Sequence, residues 1–135
     1  MDCIFCKIVK GEIPSAKVFE NKDVMVFLDI APANKGHALV TSKNHYETLL
    51  DVPDKILSNI MKTVKKVARA MSSALASEGF NILVNNNKVA GQIVPHLHLH
   101  VIPRYSNDGV RLQWRAGKYK QNEIEDYADK IKKFL

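Results

Sequence analysis

Two periodicities alternate along the chain, one typical of strands and the other of a helix. Short runs rich in β-branched and aromatic residues, bounded by turn-forming residues, predict strands over 17–20, 24–30, 37–41, 80–84 and 94–102. Asn21-Lys22-Asp23 is turn-like, so we expect the first two strands to form a hairpin. A second turn is expected over 32–36, and the loop after the fourth strand is rich in Asn at 85–87.

Between the third and fourth strands, apolar residues recur every three or four positions. This spacing predicts an amphipathic helix over about 53–78, with Pro53 in its first turn and Gly79 at its end. The apolar face of that helix consists of Ile56, Ile60, Val64, Val67, Met71 and Ala74. A second, shorter helix is predicted over 121–135, with Ile124, Tyr127 and Ile131 on its apolar side. This order of elements indicates an antiparallel α+β fold without βαβ units.

The composition is that of a soluble globular protein. The chain has 135 residues, of which 46% are hydrophobic and 25% are charged, and these values exclude a disordered, collagen-like or membrane-spanning chain. Its length fits a single domain over 1–135. No apolar run is long enough for a signal peptide or a membrane span, and two cysteines make no disulfide framework. We therefore expect a cytoplasmic protein without a membrane partner.

The positive charge of the chain does not point to a nucleic-acid partner. There are 20 Lys and Arg against 14 Asp and Glu, which gives a net charge of +6. The basic residues are scattered, and no aromatic residues are interleaved with them as a base-stacking platform would require. Polymeric nucleic acid is therefore disfavoured as a partner.

Three of the five histidines alternate with apolar residues, as His96, His98 and His100. In an extended strand, alternate side chains share a face, so the three imidazoles are expected on one side of the strand. Between Gly79 and Pro103, Lys88 is the only formally charged residue. Imidazole titrates near neutral pH, so one ring could attack phosphorus while another holds the phosphate oxygens. A catalytic zinc held by two or three histidines is the alternative that the residues leave open.

Cys3 and Cys6 are the only cysteines and are spaced by one helical turn. Two thiolates at this spacing could form half of a tetrahedral metal site, with two imidazoles supplied by the five histidines. Two buried thiols or a redox pair are the alternatives.

The segment Gly91-Gln-Ile-Val-Pro-His96-Leu-His98-Leu-His100-Val-Ile-Pro103-Arg104 resembles the signature of the histidine triad (HIT) family. Other landmarks match in order from Cys3 to about Trp114, namely Cys3-Ile-Phe-Cys6, Gly11-Glu-Ile-Pro14, Phe27-Leu-Asp29-Ile, Gly36-His37-Ala-Leu-Val40 and Asn85-Asn86-Asn87. The resemblance implies a five-stranded antiparallel sheet with one long helix and short terminal helices. It also implies a homodimer in which two sheets become continuous.

The same resemblance implies a purine nucleotide hydrolase or nucleotidyl transferase that acts on the α-phosphate of nucleoside phosphoramidates or dinucleoside polyphosphates. His98 then corresponds to the nucleophile that carries the nucleotidyl group, and His100 to a phosphate contact. His37 and His96 correspond to supporting residues of the catalytic site. Asp29 is expected to contact the ribose of the nucleotide. The expected phosphate contacts are the amides of Asn85 and Gln92 and the imidazoles of His98 and His100. The walls around the base are expected to consist of Phe5, Ile8 and Phe27.

The N-terminal Cys-x-x-Cys resembles the branch of the family that binds a structural zinc ion. The ligands that this implies are Cys3, Cys6, His45 and His96, with no cofactor required for the chemistry itself. One position departs from the family pattern, because Ile93 stands where many members have Ser or Thr. The lost hydroxyl leaves a second function open, a purine-nucleotide-binding regulatory module with weak or vestigial hydrolysis.

Overall fold

Five strands form one antiparallel sheet that carries a long helix on one face. The computed structural model describes residues 2–135, and its strands are β1 (Lys17–Glu20), β2 (Val24–Leu28), β3 (Ala38–Ser42), β4 (Gly79–Leu83) and β5 (His98–Arg104). Their order across the sheet is β1-β2-β3-β5-β4, with every neighbouring pair antiparallel. The expected antiparallel α+β fold is therefore confirmed, and β5 with its histidines lies inside the sheet.

Three α-helices accompany the sheet, α1 (Ile4–Val9), α2 (Asp54–Leu75) and α3 (Glu123–Lys132). Ile60, Val64, Val67 and Met71 of the predicted apolar stripe of α2 are buried against side chains from β2, β3 and β5, including Leu99 and Val101, and against Leu97, which precedes β5. Ile56 is partly buried, and Ala74 at the end of the stripe is exposed. Helix α3 forms near the predicted place, but within residues 2–135 it buries none of its side chains. In the same range, no helix combines the length and the apolarity that crossing a membrane requires.

The two faces of the sheet bury different partners. One face of the sheet packs against α2. The side chains on the other face pack against Phe5 and Ile8 of α1, and they include Met25, Phe27 and Leu39. Because side chains on a strand alternate between faces, the residues of β5 next to Leu99 and Val101 lie on this second face. His98 and His100 thus lie on the α1 side of the sheet, opposite the main core.

Several predicted boundaries were wrong by a few residues, and one of these differences matters for the site. Strand β5 begins at His98 instead of position 94, so His96 precedes the strand. The chain bends there, and the N–H of Leu97 donates to the carbonyl of Tyr46 over 2.6 Å instead of joining the ladder. The predicted row of three histidines on one strand therefore holds only for His98 and His100.

The other corrections concern element ends. Helix α2 stops at Leu75 because Ala76 adopts the left-handed conformation with φ +51°, and Gly79, which was predicted to end the helix, opens β4 instead. Strand β2 ends at Leu28 instead of position 30, and β3 begins one residue later than predicted.

Candidate functional site

A cavity of about 500 Å³ opens on the α1 side of the sheet. His37, His98 and His100 line it together, and Asp29 is the only formally charged residue among its lining side chains. Apolar and amide side chains complete the walls, among them Phe5, Ile8, Phe27, Leu39, Leu83, Asn85, Ile93 and Leu112. The sequence-predicted base walls and three of the four predicted catalytic histidines therefore meet in one cavity.

The three imidazoles of the cavity are held in their neutral form. Burial lowers the pKa of His37 and of His98. Burial, together with the neighbouring rings of His98 and His37, lowers the pKa of His100 to about 4. At neutral pH each ring therefore has one protonated nitrogen, which donates, and one unprotonated nitrogen, which accepts or attacks.

The hydrogen bond of His98 determines which of its nitrogens is free. Its Nδ1 lies 2.6 Å from the carbonyl oxygen of His96. Because a carbonyl only accepts, Nδ1 carries the proton and donates it. The lone pair of His98 is therefore on Nε2, in a ring that lines the cavity and packs edge-on against Phe5 with 4.9 Å between centroids.

His37 and His100 form a hydrogen-bonded pair whose proton positions are also fixed by the backbone. The N–H of Ala33 donates to Nδ1 of His37 over 3.0 Å, so the proton of His37 is on Nε2. That Nε2 lies 2.9 Å from Nδ1 of His100 and donates to it. His100 consequently keeps its own proton on Nε2, and its ring centroid is 5.0 Å from that of His98. The lone pair on Nε2 of His98 and the N–H donor on Nε2 of His100 thus belong to two neighbouring rings.

Four candidate metal ligands meet where α1 approaches the bend before β5. Cys3, Cys6, His45 and His96 each bring one ligand atom to within 4.8 Å of the others. The Sγ of Cys3 is 3.4 Å from Nδ1 of His96, and the Sγ of Cys6 is 3.4 Å from Nδ1 of His45. Both cysteines are free thiols. The predicted ligand set is therefore assembled by the fold.

The tautomer of His96 fits metal binding. Its Nε2 lies 2.7 Å from the carbonyl oxygen of Ser42 and donates to it, which leaves Nδ1 unprotonated and facing the two sulfur atoms. Two thiolates and two neutral imidazoles are a donor set that zinc prefers in tetrahedral structural sites. The carbonyl of the same residue accepts from Nδ1 of His98, so His96 connects the metal cluster with the cavity.

A second group, Asp29, His37 and His100, also has its ligand atoms within 4.8 Å. Here the tautomer argues against a metal. Because Nδ1 of His37 accepts from Ala33, its Nε2 is an N–H group that has no lone pair to offer an ion. The hydrogen-bonded pair described above is the arrangement that these contacts favour.

Two predicted site residues lie outside the cavity. Gln92 is buried, and both ends of its amide are used by the loop, since Oε1 accepts from the N–H of Asn87 over 2.8 Å and Nε2 donates to the carbonyl of Glu47 over 2.7 Å. It therefore supports the loop instead of contacting the cavity, in contrast to the prediction. His96 is fully buried at the metal cluster and meets the cavity only through its carbonyl.

The sequence did not reveal three backbone groups that fix the tautomers of the histidines, namely the carbonyls of Ser42 and His96 and the N–H of Ala33. They carry no side-chain signal, so no motif could have revealed them. Leu112 was missed because it follows the last strand in a segment without regular structure.

The HIT domain family matches residues 10–107 of the chain. This protein belongs to the HIT family. The matched range contains the three cavity histidines as well as His45 and His96. Cys3 and Cys6, and the cavity residues Phe5 and Ile8, lie before it.

Two HIT relatives show how far the similarity extends. The protein is 41% identical over 132 residues to a Schizosaccharomyces pombe protein named adenosine 5'-monophosphoramidase, covering 97% of this chain and 96% of that one. A crystal structure of a HIT family member from Bacillus subtilis superimposes with a TM-score of 0.93 at 41% identity, covering 100% of this chain and 98% of the other. The HIT fold expected from the sequence is thus confirmed over nearly its whole length.

A metal-containing HIT structure is also similar. A Zn-bound histidine triad family protein from Mycobacterium smegmatis aligns with a TM-score of 0.79 and 31% identity, covering 100% of this chain and 99% of the other. In this HIT protein, the cluster of Cys3, Cys6, His45 and His96 could hold a metal ion.

The buried histidines make the stability of this HIT protein depend on pH. The folded-state pKa of His100, about 4, lies below the value of about 6.5 for an unfolded chain. As the pH falls below about 6.5, the unfolded chain takes up this proton first, so stability is lost progressively until about pH 4. Because His100 is partly exposed to solvent, we expect its share of the loss at pH 5 to be on the order of 1 kcal/mol.

This prediction is checked by urea unfolding at pH 7.5 and pH 5 of the unaltered protein and of His100→Asn. We expect the variant to lose less free energy of unfolding between the two pH values. An equal loss in both proteins would show that His100 is not a source of the pH dependence.

Proposed function

We propose that this HIT protein is a hydrolase that cleaves purine nucleoside 5'-phosphoramidates at the α-phosphorus, through a nucleotide attached covalently to His98. The observation that carries the proposal is the pair of ring nitrogens in the cavity, an unprotonated Nε2 on His98 beside an Nε2–H on His100. The name of the S. pombe relative, adenosine 5'-monophosphoramidase, supports the hydrolase class and the substrate.

The proposed first step is attack of the His98 Nε2 lone pair on the α-phosphorus. A new phosphorus–nitrogen bond forms while the bond to the leaving amine breaks. The amine nitrogen takes up one proton from solvent and departs as a neutral amine, and the water molecule of the second step returns one proton to solvent. The His98 proton on Nδ1 stays in its hydrogen bond to the carbonyl of His96, which stabilises the positive charge that develops on the ring. The N–H of His100 donates to a phosphate oxygen, as an oxyanion donor does.

In the second step, water attacks the same phosphorus and the bond to His98 breaks. The products are a nucleoside monophosphate and the unaltered imidazole, so one turnover consumes one water molecule. His37 does not touch the phosphate in this scheme. Its hydrogen bond to Nδ1 of His100 keeps the His100 proton on the side of the ring that donates.

The contacts to the rest of the nucleotide follow from the lining of the cavity. The aromatic rings of Phe5 and Phe27 pack at 5.3 Å between centroids and, with Ile8, offer an apolar wall for a purine base. Asp29 supplies a carboxylate acceptor for ribose hydroxyls, with one oxygen already fixed by the N–H of Ala31 at 2.9 Å. Asn85 lines the same cavity as His98 and His100, and its amide is the group proposed to contact the phosphate.

Replacing Asp29 by Ala should raise KM for ribonucleotide substrates by about tenfold, because two hydroxyl groups lose a charged acceptor. A substrate without the 2'- and 3'-hydroxyls should be used equally by both proteins. Steady-state kinetics with the ribose and the dideoxyribose compounds check this. An equal rise in KM for the ribose and the dideoxyribose compounds would show that Asp29 stabilises its loop and does not bind the ribose.

The function itself is tested with adenosine 5'-phosphoramidate, by following the release of AMP and ammonia. The proposal expects turnover under conditions where a sample lacking the protein shows none. Tight binding of AMP, measured by calorimetry, without any turnover would instead favour the second candidate function, a nucleotide-binding regulatory module. The observation that supports this candidate is that Ile93 has no hydroxyl group.

We further propose that the metal is a structural zinc ion held by Cys3, Cys6, His45 and His96. When bound, zinc would fix α1 to the bend before β5. The phosphorus chemistry proposed above uses only imidazoles. The ion would be held by the ring of His96, which meets the cavity only through its backbone carbonyl.

We also propose that residues 1–135 form one HIT domain, and that two copies pair in the cytoplasm through β4. Strand β4 lies at the edge of the sheet, and its outward side chains Phe80 and Ile82 are 46% and 43% exposed. An exposed edge with apolar side chains can pair with a second copy to continue the sheet.

A further inference from the structure

The carboxylate of Asp108 accepts five hydrogen bonds in the loop that follows β5. Two come from the guanidinium of Arg104, at 2.7 and 3.0 Å, and two from the backbone N–H groups of Tyr105 and Val110, at 3.1 and 3.0 Å. The fifth comes from the side-chain amide of Asn34, at 2.9 Å. The guanidinium of Arg104 holds the pKa of this carboxyl well below its usual range, so Asp108 is an anion at neutral pH. Because a carboxylate only accepts, the Asn34 amide must present its NH2 group to it.

Asn34 lies in the loop between β2 and β3 and ties that loop to the end of β5. Its Nδ2 also donates to the carbonyl of Pro103 over 2.8 Å, so both protons of the amide are used. Its own backbone carbonyl accepts from the N–H of His37 over 3.0 Å. Among the described residues 2–135, the two bonds of the Asn34 amide are the only hydrogen bonds that join positions 30–36 to a segment outside 29–37. The side chain of Asn34 therefore anchors the loop.

The anchored loop carries the backbone group that determines the tautomer of His37. Ala33, the residue before Asn34, donates its N–H to Nδ1 of His37 over 3.0 Å. This bond leaves the His37 proton on Nε2, which donates to His100 and so leaves the His100 proton on its own Nε2. Ala33 is exposed, and its side chain has no polar group that could hold the N–H in place. The direction of that N–H therefore depends on the conformation of the loop.

We propose that Asn34, oriented by Asp108, is a positioning residue for the reaction: it holds the loop so that the Ala33 N–H meets His37. The tautomer of His37 in turn keeps the N–H of His100 on the nitrogen that donates to phosphate. Neither Asn34 nor Asp108 lines the cavity, so both act through other residues. This inference rests on the proposed function, because the donor that Asn34 positions is the one assigned there to a phosphate oxygen.

NMR of the ring nitrogens tests the inference without any turnover. In long-range ¹H–¹⁵N correlation spectra at pH 7.5, the unaltered protein should show one tautomer per ring, with the proton on Nε2 in His37 and His100. Asn34→Ala should convert both rings to mixtures of the two tautomers. The ring of His98 is an internal reference, because its Nδ1 donates to the carbonyl of His96 and not to the loop. It should keep its proton on Nδ1 in the variant.

A second variant and a matched control separate the anchor from the rest of its loop. Asp108→Asn places an NH2 group among donors, so the Asn34 amide loses its acceptor there, and we expect the same tautomer mixtures. Ser106→Ala is the control, because it removes a 2.7 Å hydrogen bond from the same loop to Glu78 and contacts neither anchor residue. It should leave all the rings unchanged. If Asp108→Asn does not fold, Asn34→Ala carries the test.

Steady-state kinetics measure the consequence for the reaction. With adenosine 5'-phosphoramidate, Asn34→Ala should lower kcat by about three- to tenfold and change KM by less than about twofold, because fewer molecules present the His100 N–H to the phosphate. Ser106→Ala should leave both constants unchanged.

The spectra and the kinetics separate failure of this inference from failure of the proposed function. Unchanged tautomers of His37 and His100 in Asn34→Ala would overturn the inference, and so would mixed tautomers with an unchanged kcat. Absence of turnover by the unaltered protein would instead contradict the proposed function. In that case the tautomers still decide whether Asn34 positions the two rings.

Discussion

Replacing His98 by Ala should lower kcat/KM for adenosine 5'-phosphoramidate by at least about 10³-fold, since the variant has no nucleophile to form the covalent intermediate. The neighbouring donors cannot substitute for it. The Nε2 of His100 carries a proton, because its Nδ1 accepts from His37, and a protonated nitrogen has no lone pair for phosphorus. Steady-state kinetics of purified variants measure this loss.

A conservative variant controls for damage to the fold. The amide of His98→Asn can still donate to the carbonyl of His96, as Nδ1 does in the unaltered protein. We expect His98→Asn to be as inactive as His98→Ala while it binds AMP within a few-fold of the unaltered affinity. Activity of either variant within about tenfold of the unaltered protein would exclude nucleophilic catalysis by His98.

Removing Cys3 and Cys6, the two thiols of the proposed metal site, should have the second largest effect. We expect the Cys3→Ala, Cys6→Ala double variant to lose its zinc and more than about 3 kcal/mol of its free energy of unfolding, because metal binding contributes directly to folding. Elemental analysis should find about one zinc per chain in the unaltered protein and none in the variant. Urea unfolding measures the stability difference.

The double variant should also bind AMP more weakly, because α1 supplies one wall of the cavity. Phe5 lies between the two cysteines in sequence and packs against His98. A chelator should reproduce both losses in the unaltered protein and change nothing in the double variant, which serves as its own control. Equal stability of the two proteins, with or without chelator, would show that the four residues do not hold a structural metal.

The main elements could be predicted from the sequence because their periods are unambiguous. The apolar stripe of α2 lies on a helix of 22 residues, which is long enough for helix periodicity to exceed chance. The hairpin of β1 and β2 has a turn-forming Asn21, whose side chain accepts from the N–H groups of Asp23 and Val24 over 2.9 Å. In both cases local chemistry and tertiary packing agree.

The position of His96 could not be predicted in the same way. Alternation with Leu97 and Leu99 suggested that it continues the strand, but its ring packs at the cluster formed with Cys3 and Cys6, which are 93 and 90 residues away in sequence. Tertiary contacts therefore override the local pattern at this residue. Only the family resemblance, not spacing, indicated that His96 belongs to the metal ligands.

The proton positions in the cavity were also beyond sequence reasoning. They depend on the backbone N–H of Ala33 and the backbone carbonyl of His96, groups that almost any residue would supply at those positions. Gln92 shows the opposite case, a side chain that has the right chemistry for a phosphate contact but is already satisfied by Asn87 and Glu47. Chemical type alone did not distinguish a ligand contact from loop support.

The central claim is that the lone pair on Nε2 of His98 attacks phosphorus, and trapping the intermediate tests it most directly. Rapid acid-free quenching during turnover of adenosine 5'-phosphoramidate, followed by proteolysis and mass spectrometry, should find one adenylyl group on the peptide that contains His98. Fragmentation should place it on His98 and on no other histidine, and His98→Asn should carry none. Turnover without any adenylylated peptide, or an adenylyl group on His100 or His37 instead, would contradict the claim.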